Sequence, residues 1–197
     1  GGAVSARYAV GIDLGTTHSA LAYVDLAVEG SPITVLPVPQ LVSAGAVEAR
    51  PLLPSFLYFA HESEGPQGLP WDAGRTYAVG EHARSRGEGA PGRVVASAKS
   101  WLGHPTLDRR SPVLPVGAAE DVEKVSPVEA SFRYLEHLRE AWEHVVAKGN
   151  ADLALERQEI VLTVPASFDA GARELTVEAA FAEVDLLVRR EDLDLVD

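Results

Sequence analysis

The chain has 197 residues, enough for one large domain or two small ones with a substantial core, and its 46 % hydrophobic and 23 % charged shares are ordinary globular usage. It has no cysteine, which removes disulfides, cysteine-ligated zinc and thiol catalysis; its formal charge of −12 disfavours an extended nucleic-acid surface but leaves room for a nucleotide held by a local cradle of N–H groups and a cation. No apolar run reaches bilayer-spanning length and the first ten residues lack the pattern of a secretory signal, so no membrane partner is expected and the cytoplasm is the expected location. In chain order, Tyr8 to Leu14, Ser19 to Val24 and Ile33 to Val38 read as three strands of an antiparallel meander, with Pro37 forcing an edge position or an early end on the third. Residues 55 to 60, "SFLYFA", read as a fourth strand. A polar loop rich in Gly and Pro follows, 61 to 74, with Trp71 expected to tack it onto the body. A short strand and a polar helical stretch come next in 76 to 92, and 93 to 103, "RVVASAKSWLG", reads as a short helix carrying Lys99 and ended by Gly103.

The clearest helix starts at Ser126 and runs to about Lys148. Ser126 fits the N-cap, Pro127 the first turn, and Glu129 the far side of a capping box. Phe132, Leu135, Leu138, Trp142, Val145 and Val146 recur at helical spacing and are expected to face the core, and Gly149 supplies the stop. Residues 159 to 165, "EIVLTVP", read as a buried strand, and Asp169 can cap a further helix through Ala180. Six histidines show no metal-ligand spacing; His137 and His144, seven apart on the long helix, are expected at its surface or flank. The order of elements suggests a layered sheet with helices packed on it.

One stretch departs from plain structural logic: "VGIDLGTTHSALAYVD", residues 10 to 25. Asp13 sits among core-type apolar residues, and the break after Leu14 carries two hydroxyls rather than an Asn-Gly or Asp-Gly pair. Polyphosphate chemistry needs such parts. A glycine lets backbone N–H groups approach phosphate oxygens, Thr16 and Thr17 add hydroxyl donors, and a carboxylate at the strand end can orient the waters of a Mg2+ ion.

These residues resemble the first phosphate motif of the heat-shock 70 chaperone family, within the actin-like ATPase superfamily. Four further stretches are similar to that family in the same order: "LLPSFLYF" (52 to 59), with Leu53 in place of a threonine; "YAVGEHARSR" (77 to 86); "SAKSWLG" (97 to 103); and "LTVPASFDAGARELTVEAA" (162 to 180). The resemblance covers roughly Tyr8 to Ala180. It implies an α/β fold, a ribonuclease H-like or actin-like ATPase lobe with a mixed sheet, packed helices and an inserted smaller α/β segment. Residues 7–52 and 124–182 would form the core subdomain, 53–123 the insertion, and 183–197 an unmatched acidic tail.

Residue by residue, the resemblance gives Gly15, Thr16, Thr17 and His18 the phosphate clamp, Asp13 a water-mediated metal contact, and Lys99 the catalytic ammonium near the γ-phosphate. Pro165 and Arg173 match positions that relay nucleotide state. His18 departs from the family's usual asparagine. The implied cofactors are ATP or ADP with Mg2+, and the implied partners of the complete protein are unfolded polypeptides and co-chaperones. After Ala180 the text matches none of the family's later motifs, including its second phosphate loop and adenosine segment. ATP hydrolysis by these 197 residues alone is therefore expected to be slight or nil. Two alternatives stand beside this reading: a non-enzymatic interaction module, dimerising or binding a partner through an uncovered lobe face, or another actin-like ATPase or kinase.

Overall fold

The computed structural model describes residues 5–96, 98, 101 and 108–163. Lys99, Pro165, Arg173, the helix expected after Asp169 and the acidic tail lie outside them. The first two strands, β1 (Tyr8–Leu14) and β2 (His18–Asp25), pair antiparallel over their whole length, from Tyr8 opposite Asp25 to Leu14 opposite Ser19. Alternation sets the faces: Val10, Ile12 and Leu14 are buried while Gly11 and Asp13 are exposed. β3 (Thr34–Val35) continues the meander at the sheet edge and stops before Pro37, as the missing N–H requires.

The chain then makes an unanticipated hairpin, β4 (Val38–Ser43) with β5 (Ala46–Arg50), turned by Gly45 at φ +71°. Leu53–Pro54 forms β6, a short strand that pairs with the start of β2. β7 (Phe56–Phe59) is the centre of a separate three-stranded sheet. Its neighbours are β8 (Tyr77–Val79) and β9 (Val94–Ala96), both antiparallel to it. β9 corrects only the start of the helix expected from residue 93: Val94 and Val95 are β-branched and complete the ladder of β7, while Ala98 and Trp101, described beyond it, are helical. Between β8 and β9 lies α1 (Glu81–Gly89).

The long helix, α2 (Pro127–Trp142), begins at Ser126, whose hydroxyl accepts the Glu129 N–H at 3.0 Å. Only that half of the capping box forms, because the Glu129 carboxylate takes Arg133 instead. After Trp142 the helix widens into one π turn, Glu143–Ala147, and ends with Lys148 and Gly149 both at positive φ. Phe132, Leu135, Leu138 and Trp142 are buried, so the stripe is core. His137 corrects an expectation. It is 1 % exposed, with Nε2–H donating to the Pro39 carbonyl at 2.9 Å and its ring against Trp71. Burial pushes its pKa down to about 4. His144 lies tilted against Trp71, the loop residue expected to anchor on the body.

β10 (Glu159–Thr163) returns parallel to β1, giving the sheet order β10-β1-β2-β3. Its burial alternates, with Ile160 and Leu162 inside and Glu159 exposed, so it is not buried on both faces over the described residues. The main core joins both sheets to α2, and Trp142 sits at its base between Tyr8 and Tyr23. Among the described residues no helix is long and apolar enough to cross a membrane.

Candidate functional site

The bend between β1 and β2 holds five of the six residues singled out from the sequence. Asp13 stands exposed at the last but one position of β1, between Ile12 and Leu14, both of which are buried. Gly15 follows, then Thr16 and Thr17, both exposed, and His18 opens β2. Lys99 lies outside the described residues, so its distance from this bend is not part of the geometry.

Gly15 is required by close approach. A Cβ built there would fall 2.2 Å from the His18 carbonyl oxygen, a backbone atom that cannot move aside without opening the turn. The turn is also bolted from behind. Ser55 donates its hydroxyl to the Gly15 carbonyl at 2.9 Å and its backbone N–H to the Thr17 carbonyl at 2.9 Å. Ser19 lies 3.1 Å from the same hydroxyl, and with Ser55 Oγ–H already committed, Ser19 is the donor of that pair. Both serines are almost wholly buried. The inward-facing carbonyls are thereby satisfied, which leaves the Thr16 and Thr17 side chains facing solvent.

A second layer comes from α1. His18 Nδ1 is 3.1 Å from Thr17 Oγ1, and His18 Nε2 is 3.4 Å from Nη1 of Arg84. Arg84 is fixed by a bidentate pair with Glu81 at 2.7 and 2.8 Å. The N-cap of α1, Gly80 at φ +105°, has no side chain to cap the helix, and Gln40 of β4 substitutes for one. Its Oε1 accepts the Glu81 N–H at 3.0 Å while its amide donates to the Val38 and Leu52 carbonyls. Three stretches far apart in sequence, 13–19, 53–55 and 80–84, thus converge on one bend.

Sequence reasoning passed over Ser55, Gln40, Glu81 and Arg84 as functional residues. For Ser55 a signal existed, a lone hydroxyl at the head of an apolar strand. For the others there was none, since their partners lie between about 40 and 66 positions away. Asp13 is the lone carboxylate at the bend, and no group of three or more His, Asp or Glu that could hold a metal occurs among the described residues. A single acid suits an ion that keeps its water shell rather than a dedicated cage. A cleft of 750 Å3 lined by Tyr77, Lys124, Ser126 and Arg133, among others, includes none of the bend residues.

Fold and bend together define a mixed-sheet α/β lobe, compatible with an actin-like ATPase lobe, that presents a glycine-tight hairpin with an acid and two exposed threonines at its tip. No model of a known protein family matches the chain. Among curated proteins it is 33 % identical over 184 residues to a chaperone protein HscA homolog of Chromobacterium violaceum. It is 31 % identical over 186 residues to the HscA homolog of Photobacterium profundum, and 28 % identical over 186 residues to the HscA of an Enterobacter strain. Each match takes in 88 % of this chain and 25 % of the relative, so the chain spans about a quarter of the length of the curated relatives it matches. Over that quarter the chain is similar to HscA chaperones, which are of the heat-shock 70 type.

Proposed function

We propose that these residues form a nucleotide-binding lobe of a heat-shock-70-like chaperone, of the ribonuclease H-like type, with ATP or ADP and Mg2+ as its ligands. The observation that carries the reading is the Gly15 bend. Its backbone leaves no room for a Cβ, the Gly15 and Thr17 carbonyls are taken by Ser55, and its exposed side chains are two threonines and one acid. That donor set suits a polyphosphate. The main-chain N–H groups and hydroxyls of Thr16 and Thr17 would hold phosphate oxygens, and Asp13 would accept hydrogen bonds from waters of the cation. The cation, when bound, draws charge from the phosphate oxygens.

Hydrolysis is then a matter of positioning and electrostatic stabilisation, with water attacking in line. Lys99, in "SAKSWLG", is proposed as the ammonium close to the transferred group. In the complete protein this chemistry would be coupled to binding and release of unfolded polypeptide, with co-chaperones, in the cytoplasm. The HscA relatives favour this over a sugar kinase or filament protein.

The test is a 31P titration of Mg-ATP with the 197-residue chain. Magnesium-dependent broadening of the β- and γ-phosphorus signals is expected, lost in Gly15→Ala and reduced in Asp13→Asn. Steady-state turnover by the same chain is expected to be slight or nil. Unchanged spectra on adding the unmodified, folded chain would reject the nucleotide reading.

A further inference from the structure

We propose that Arg84, acting through His18, holds the Thr17 hydroxyl as an outward hydrogen-bond donor at the bend. The inference rests on the phosphate-clamp reading and names a positioning residue for it.

The protons can be placed by elimination. A guanidinium has donors and no acceptor, so at 3.4 Å from Arg84 Nη1 the His18 Nε2 must supply a lone pair. The ring is then neutral with its proton on Nδ1. Nδ1–H therefore donates to Thr17 Oγ1 across 3.1 Å. A hydroxyl that accepts this bond keeps its own hydrogen for another acceptor. Thr17 is exposed and its backbone is fixed by the Ser55 N–H, so the free hydrogen is available at the surface of the bend, where an anion would sit.

Arg84 is suited to this task by its own restraints. Its other amino group is held by both oxygens of Glu81, and the Glu81 backbone is held in turn by Gln40. Because Glu81 offsets the guanidinium charge, Arg84 acts on the bend through a directed bond rather than as a free cation. The residue that makes the connection is His18, the position at which this chain departs from the family's asparagine.

Two readouts test the arrangement. Nitrogen-15 NMR of the histidine-labelled chain, without ligand at about pH 8, reads the tautomer of each neutral ring. His18 is expected as the Nδ1–H form, with Arg84→Leu moving it toward Nε2–H. In 31P titrations with Mg-ATP, Arg84→Leu is expected to weaken affinity about tenfold, and less than about twofold when Thr17→Val is already present. An Nε2–H ring in the unmodified chain would overturn the proposal, as would an equal effect of Arg84→Leu in both backgrounds, which would mark a plain charge effect. Failure of the unmodified chain to bind Mg-ATP would instead remove the nucleotide reading. The tautomer measurement would still decide the Arg84–His18–Thr17 chain of bonds, upheld by Nδ1–H and overturned by Nε2–H.

Discussion

At the scale of single residues, His137 shows how far a side chain can stand from its intrinsic behaviour. Its ring is enclosed by Trp71, the Pro39 carbonyl and the Arg75–Glu140 pair, and its Nδ1 has no hydrogen-bond partner. Burial is the main cause of its lowered pKa of about 4; Arg75 adds to the effect, while the bond to Pro39 and the Glu140 carboxylate oppose it. The direction of linkage follows from these. In the unfolded chain a histidine takes up its proton near pH 6.5, whereas in the fold it stays neutral until about pH 4. Between those values the unfolded state binds the extra proton, so stability falls as pH falls through this window and is unaffected above it. A gap of this size corresponds to about 3 kcal/mol. Urea unfolding at about pH 7.5 and about pH 4.5 should show the loss in the unmodified chain and a clearly smaller one in His137→Leu. Equal losses in the two proteins would assign the acid sensitivity to other groups.

At the scale of elements, α2 and the strands it covers are joined through one aromatic knot. Trp142 meets Tyr8 at 5.3 Å and Tyr23 at 5.2 Å, both edge to face, and its indole N–H donates to the Leu153 carbonyl at 2.8 Å. Trp142→Ala should cost about 4 kcal/mol, from lost burial, a cavity and an unpaired carbonyl. A shift of the urea midpoint worth less than about 1 kcal/mol would show that the knot is not part of the stabilising core. This helix was legible in the sequence because cap, stripe and stop are local signals. So were β1, β2 and β7, whose apolar patterns are short-range. The β4–β5 hairpin was not, since β4 buries a glutamine, Gln40, and β5 exposes Glu48, Ala49 and Arg50, so neither strand carries an apolar alternation. β9 was misread because Val94–Ala96 leads into residues that favour helix, and only the edge of β7 decides the matter. The bend itself was visible in Asp13, Gly15 and the two threonines. Most of its supports were not, because Gln40 and Arg84 reach it from other elements and nothing in their own neighbourhoods marks them.

At the scale of the whole molecule, the long polar loop between β7 and β8 is fastened to α2 by buried charge rather than by apolar packing alone. Arg75 has 5 % of its side chain exposed and Glu140 14 %, and they meet at 2.5 Å. Asp72 takes a second Arg75 bond at 3.0 Å, and the Trp71 indole N–H donates to the same Glu140 carboxylate. Glu140 thus holds two loop residues at once, and the His137 bond to Pro39 ties the same face of α2 to β4. Removing one member of a buried pair leaves the other desolvated without its counter-charge, which is costlier than the pair is stabilising. Glu140→Ala should therefore lower stability by about 3 kcal/mol and expose the 61–76 segment to protease under conditions where the unmodified chain is resistant. The control is Arg157→Ala, whose ion pair with Asp152 is more than half exposed on both sides and should leave the urea midpoint unmoved. If the two substitutions cost the same, or if the loop stays protected in Glu140→Ala, the fastening must lie in the contacts of Trp71 with His137 and His144 instead.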